Sequence, residues 1–175
     1  MIIMITGGSK NGKSRTAEQI ADSFRLKKYY IATMEPFSDE AACAIERHRK
    51  MRSGKGFETI EKYVDINDIV VEKESVVLLE CIGNLCANEM FENGIEDPVF
   101  KIISGIKKIG DFSNVFVIVT SQVGNDGMEY PDPTMKYIEN MGRLNRGIAE
   151  ISDCVIEVVY GIPLVLKGEK PLCLC

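Results

Sequence analysis

A single histidine, His48, and six cysteines without a C-x-x-C pair leave this 175-residue chain short of the ligand cluster that a zinc site needs. The thiol spacing shows no secreted disulfide framework either, so reduced cysteines are expected. Basic excess is missing too: 21 Lys and Arg face 26 Asp and Glu, a formal charge of −5, where a nucleic-acid binder would carry a basic footprint. No apolar run approaches the ~18 residues that span a bilayer, and the start has neither the basic segment nor the cleavage pattern of a signal peptide. A cytoplasmic protein without a membrane span or a nucleic-acid partner is expected. Internal repeats, low-complexity stretches and interdomain linkers are absent. What is present, at 45% hydrophobic residues, suits one domain over residues 1–175 with a proper core.

Gly7-Gly8-Ser9-Lys10-Asn11-Gly12-Lys13-Ser14 follows the apolar run Ile2-Ile3-Met4-Ile5 and opens a helix-compatible stretch from Arg15 to Phe24. This is the phosphate loop G-x-x-x-x-G-K-[ST] between a strand and a helix, the context it requires. Glycines let backbone N–H groups curl around a polyphosphate, and the helix N-terminus adds partial positive charge. Lys13 then reaches the terminal phosphates while Ser14 offers a hydroxyl to Mg²⁺. A nucleoside triphosphate is the expected ligand.

Apolar runs recur at Tyr29–Ala32, Val76–Leu79, Val115–Val119 and Val155–Val159, with Phe57–Ile60 as a further strand. Continuous runs of this length separated by helical stretches mark parallel strands buried on both faces. Helices are expected over Asp39–Arg52, Asp65–Val71, Asp97–Ile109 and Asp132–Ile151, several starting at Asp or Pro. Val155–Tyr160 and Leu164–Lys167, parted by Gly161-Ile162-Pro163, read as a closing hairpin. The expected fold is a single α/β domain of the P-loop NTPase (RecA-like) class. Its sheet is mostly parallel, with helices on both faces and a C-terminal antiparallel hairpin. Cys81 and Cys154, in strand-like surroundings, read as small core hydrophobes. Cys173 and Cys175 lie in a tail and receive no role.

Ligands of open α/β sheets sit at the carboxyl ends of the strands. Glu80 follows Val76–Leu79 where a phosphate-loop enzyme carries the acid that helps hold Mg²⁺. The competing reading is a carboxylate that merely starts the next helix. Thr120, Ser121, Gln122 and Gly124 follow the next run and could touch phosphate, metal or substrate. Helical spacing stacks Ala41, Ile45, His48 and Arg52 in one stripe, able to meet an anion. Spacing alone favours a solvated basic face over a phosphate contact.

The chain resembles the bifunctional adenosylcobinamide kinase/adenosylcobinamide-phosphate guanylyltransferases of cobalamin synthesis. The matching pieces run nearly end to end: Thr6-Gly7-Gly8, Gly12-Lys13-Ser14-Arg15, Ala17-Glu18, Tyr30-Ile31-Ala32-Thr33, Asp39-Glu40, Ile45 with His48, Thr59 and Glu61, Leu78-Leu79-Glu80-Cys81-Ile82, Val123-Gly124, Gly142-Arg143 with Asn145, and Gly161-Ile162. The resemblance implies two reactions on one nucleotide-binding domain. ATP or GTP phosphorylates the aminopropanol hydroxyl of adenosylcobinamide. The histidine matching His48 then takes GMP from GTP, releasing pyrophosphate, and passes it to the phosphorylated corrinoid. Lys13 and Glu80 would join His48 in catalysis, with Mg²⁺ held by Ser14 and Glu80. The nucleotide would meet Gly7 to Arg15 together with Thr33, Arg49, Arg52 and Glu61, in a homotrimer.

Several positions depart from the family's pattern. Ser121-Gln122 replaces the usual Asn-Glu, which removes a carboxylate from the sheet's working edge. Arg146 stands where Gln is usual, Pro163 for Gly, Phe57 for Trp and Ala44 for Arg. Geometry raises a further point. If the helix from Asp39 begins near the strand end, His48 lies about 14 Å down its axis. Either the helix projects from the sheet, or guanylylation uses a second nucleotide pose, or a neighbouring subunit completes the site. A P-loop kinase for another small alcohol, or a nucleotide-binding accessory protein without corrinoid chemistry, are the alternative functions.

Overall fold

Val76–Leu79 and Val115–Val119 have no polar face to turn to water, so they belong in the middle of a sheet covered on both sides. The computed structural model, which describes residues 1–36, 39–124 and 126–174, puts them there. β1 (Ile2–Thr6), β2 (Lys27–Ala32), β3 (Phe57–Glu61), β4 (Ser75–Glu80), β5 (Val115–Val119), β6 (Cys154–Val159) and β7 (Ile162–Lys167) form one sheet of order β3-β2-β4-β5-β1-β6-β7. Both β4 and β5 are buried along their whole length. Every pairing is parallel except that of β6 with β7.

α1 (Lys13–Asp22) covers one face through Ala17, Ile20 and Ala21. The C-terminal end of α2 (Asp39–Arg52) reaches the same face at Tyr30. α3 (Ile82–Phe91), α4 (Val99–Phe112) and α5 (Asp132–Ile151) cover the other face, around Ile102, Ile106, Phe116 and Leu144. The expected architecture of a mostly parallel sheet, helices on both faces and a final hairpin is the one observed. Among the described residues no helix is long and apolar enough to cross a membrane.

Some local expectations are corrected. Asp65–Val71 is not a helix but one 3-10 turn, Ile66–Asp68. Ile66, Ile69 and Val71 are all buried, yet a helix at about 100° per residue would turn Val71 about 140° away from Ile66. Asp65 instead adopts φ 53°, and Ile66 enters the gap above Gly105, where a Cβ would stand 2.7 Å from its Cγ1. α3 had no bounds in the sequence, which offered only a helix start as the competing reading of Glu80, because Gly83, Asn84 and Asn88 obscure its stripe of Ile82, Leu85 and Cys86. The hairpin turn is Tyr160-Gly161 alone, at φ 51° and 81°. Two consecutive positive φ values match the right-handed twist of the flanking strands. Cys154 is buried in β6 as expected, whereas Cys81 caps α3 rather than lying in a strand. Cys175 and the side chain of Ala41 lie outside the described residues.

Ile66 is fully buried against α4, so Ile66→Ala removes its transfer energy and leaves a cavity. Equilibrium denaturation should show a loss of about 2–4 kcal/mol. A loss under about 1 kcal/mol would mean that the turn does not support α4.

Candidate active site

The phosphate loop is shaped by contacts that only glycine permits. Gly7, at φ 137°, would carry its Cβ 2.5 Å from the Val158 carbonyl oxygen. Gly12, at φ 95°, is the N-cap of α1 and supplies no side-chain cap, so the first N–H groups of that helix remain open to an anion. The Asn11 carbonyl accepts a hydrogen bond from Gly161 N–H at 3.1 Å, which ties the loop to the hairpin turn. Lys13 is buried, and its ammonium donates to the Gly8 carbonyl at 2.6 Å, lying across the loop. Burial pulls the Lys13 pKa below its ordinary value, against the opposing influence of Cys81 and Glu80. Gly8, Ser14 and Asn11 are half-buried, while Ser9, Lys10 and Arg15 are exposed at the rim.

Glu80, at the end of β4, is the node of the site. Its Oε1 accepts from Ser14 Oγ at 2.5 Å. Its Oε2 accepts from the Tyr30 hydroxyl and lies 2.7 Å from His48 Nδ1, within hydrogen-bond distance. Burial opposes ionisation of this carboxyl, but the hydrogen bonds from His48, Ser14 and Tyr30 prevail and hold its pKa below the usual range. Tyr30 is driven the other way, upward, by burial and by the Glu80 charge. No signal in the sequence separated Tyr30 from the apolar run that contains it. The register Ala32↔Glu80 and Tyr30↔Leu78 places it one side-chain step below Glu80 on the same face.

His48 therefore reaches the phosphate-loop side of the sheet. Since it stands at the carboxyl edge, Asp39 lies about 14 Å away along the helix axis, and α2 descends toward the edge instead of starting there. Ala42, Cys43, Glu46 and Arg47 are exposed, while the other end of the helix is fastened. The Arg52 guanidinium lies 3.4 Å from the Tyr30 ring centroid, a close cation–π contact. Three residues further on, the Lys55 ammonium meets the buried Glu18 carboxylate of α1 at 2.6 Å. The basic stripe is thus not a solvated face at His48 and Arg52, although Arg49 is exposed and pairs with Glu61 at 3.1 Å. Between α2 and the ends of β2, β3 and β4 lies a cleft of about 210 Å³, bounded by Ile45, His48, Arg49, Glu61, Tyr63 and Glu80.

Thr33, expected at the nucleotide, is fully buried. Its hydroxyl accepts from Cys81 N–H at 2.6 Å and faces the Glu80 and Cys81 carbonyls at 2.9 Å, fastening β2 to β4 beneath the site. Asn88 of α3 holds the same segment, donating to the Thr33 and Tyr63 carbonyls at 2.9 and 3.0 Å. After β5, Thr120 donates to Asn145 Oδ1 at 2.6 Å, and the Gln122 amide donates to Glu157 Oε1 at 2.9 Å. Among the described residues no three His, Cys, Asp or Glu side chains gather as a metal cage. Ser14 and Glu80 instead offer a pair of hard oxygens beside the loop, which suits an ion that keeps most of its positions for phosphate and water.

Phosphate binding at an open helix N-terminus, with a buried acid at the carboxyl edge of a parallel sheet, is the arrangement of P-loop NTPases. Solved structures agree on that fold. A protein of Pyrococcus horikoshii OT3 superposes with a TM-score of 0.54 at 10% identity, over 97% of this chain and 87% of that one. A type III secretion system ATPase gives 0.53 at 13% identity, over 99% of this chain and 60% of the other. A family model described as cobinamide kinase / cobinamide phosphate guanyltransferase matches residues 3–166, and the chain belongs to this family. The bifunctional adenosylcobalamin biosynthesis protein CobU of Escherichia coli (strain K12) is 31% identical, over 95% of this chain and 100% of its own length. The protein of that description called CobP, from Pseudomonas aeruginosa, is 26% identical over 95% and 97%.

The close approach of Gly7 to Val158 gives a direct check on the loop. Gly7→Ala must shift backbone on one side or the other, a strain of about 1–3 kcal/mol. Calorimetric titration should show nucleotide affinity weaker by about 5- to 150-fold. Unchanged affinity would mean that the nucleotide does not depend on this loop conformation.

Proposed function

We propose that the protein phosphorylates adenosylcobinamide with ATP or GTP and then transfers GMP from GTP to the resulting phosphate, through a guanylylated His48. The observation that carries this reading is the Glu80 carboxylate, bonded at one oxygen to Ser14 of the phosphate loop and at the other to His48. A histidine at that position is within reach of nucleotide chemistry, and family membership supplies the reaction class.

In the first reaction Lys13 supplies positive charge to the transferred γ-phosphoryl group, and the loop N–H groups and α1 N-terminus hold the remaining phosphates. Mg²⁺ entering with the nucleotide would be held by Ser14 and Glu80 and would neutralise phosphate charge. No protein nucleophile is needed for this step. In the second reaction the imidazole divides one difficult displacement into two easier ones. Arg49, Arg52 and Glu61, around the cleft beside His48, are the side chains proposed to meet the guanylyl donor there.

Incubation with GTP and Mg²⁺ should raise the intact mass by one GMP. The bond should be acid-labile and base-stable, as for phosphorus on imidazole nitrogen. His48→Asn should lose this adduct and the GDP-corrinoid product while still phosphorylating adenosylcobinamide. An adduct persisting in that variant would move the nucleophile to a lysine, and turnover of the corrinoid without any adduct would leave a kinase alone. Lys13→Ala should abolish phosphorylation; near-normal kinase turnover would remove the loop from the mechanism.

A homotrimer is the proposed assembly. Phe91 is 58% exposed and Met90 packs partly against the core. Ile162, Leu164 and Leu166 line an exposed apolar side of the outer strand β7. Light scattering at micromolar concentration should give three times the chain mass, and a monomer would overturn the assembly.

A further inference from the structure

We infer that Glu80 and Tyr30 are positioning residues for His48, holding its Nδ1–H so that Nε2 is the atom that attacks the α-phosphorus of the guanylyl donor. The inference rests on the two-step reading above and adds to it which nitrogen reacts and what aims it.

Three donors converge on the two oxygens of Glu80: Ser14 on Oε1, and Tyr30 and His48 on Oε2. An ionised carboxylate only accepts hydrogen bonds, so an Nδ1 at 2.7 Å must carry the proton. The lone pair of the neutral ring then lies on Nε2. The Tyr30 hydroxyl, 3.4 Å from Nδ1, shares the same oxygen and limits where the carboxylate can swing. Tyr30 is itself fixed, with Arg52 over its ring face and the Phe57 ring edge-on at a centroid distance of 6.3 Å. The carboxylate is buried, while the imidazole keeps 20% of its surface and borders the cleft.

In the forward step the Nε2 lone pair forms a bond to the α-phosphorus of GTP. The bond from that phosphorus to the bridging oxygen breaks, and pyrophosphate leaves with its electron pair. The ring acquires positive charge, which the Glu80 carboxylate balances across Nδ1–H. In the second step an oxygen of the acceptor phosphate attacks the same phosphorus, and the P–Nε2 electrons return to the ring. The Nδ1 proton stays in place throughout.

The single histidine makes the test clean, since ¹⁵N-labelled protein gives one pair of imidazole nitrogen signals. Two-bond ¹H–¹⁵N spectra of the neutral ring should show the Nδ1–H tautomer, and the GMP adduct should show phosphorus coupled to Nε2. Glu80→Gln should mix the tautomers and slow adduct formation by up to about 10⁴-fold, the loss that follows when a catalytic histidine is deprived of its orienting carboxylate. Tyr30→Phe, which keeps the carboxylate, should slow it about tenfold and bring in some Nε2–H form. An adduct on Nδ1 would overturn this inference and leave the two-step reading intact. Absence of an adduct on the parent protein would sink the two-step reading. An Nε2–H tautomer in the parent, or tautomers unchanged in both variants, would sink the proposed hold by itself.

Discussion

A carboxylate taken out of water at the end of β4 is the constraint around which the site is assembled. Burying such a charge costs several kcal/mol unless hydrogen bonds replace the lost hydration. Glu80 is 9% exposed, and its replacements come from three separate parts of the chain: Ser14 after β1, Tyr30 on β2 and His48 on α2. The strand order makes this possible. With β2 directly beside β4, the Tyr30 hydroxyl arrives from the neighbouring strand and needs no loop of its own. Thr33 and Asn88 then fix the level at which β2 ends, and so the level from which the chain departs toward α2.

Among the described residues, charge and aromatic contact secure the C-terminal end of the helix that carries His48. Arg52 lies on Tyr30, and Lys55 meets Glu18, whose carboxylate is 1% exposed. Lys55 keeps a third of its surface, but losing it would leave the buried Glu18 carboxylate uncompensated, which is costly. These contacts define where the C-terminal end of α2 lies, although none of its described side chains belongs to either core cluster. One turn above Arg52, His48 inherits that definition. Toward the other end of the helix Ala42 and Cys43 are exposed, and Ala42 and Ile45 border the cleft.

What the sequence could reveal divides along the range of the interactions involved. Apolar runs report burial on both faces, and Asp or Pro at helix starts reports local capping, so the strands and the bounds of α2 and α5 were legible. The phosphate loop was legible because all of its parts are contiguous. Asp65–Val71 misled because three of its four apolar residues are buried by a turn that no helical period describes. The stripe of His48 and Arg52 did predict a shared direction. Spacing favoured a solvated basic face over an anion from outside, whereas His48 meets the protein's own Glu80 and Arg52 meets a ring. Those partners are 32 and 22 residues away in the chain, and nothing local announces them.

The same limit explains why Ser121-Gln122 suggested a lost carboxylate. Alternation along β6 turns Ile156 and Val158 to the α1 face and Val155 to the other, which sends Glu157 to the face covered by α5. There it accepts from the Gln122 amide, and its register partner is Thr6, the residue that leads into the loop. Negative charge at this edge thus comes from β6 in place of the segment after β5. Glu80 projects from the opposite face of the sheet, as its alternation with Leu78 and Leu79 requires. This edge of the sheet consequently carries a carboxylate on each face. One accepts from Ser14, Tyr30 and His48, and the other accepts from the Gln122 amide, so each is held by hydrogen bonds from other parts of the chain.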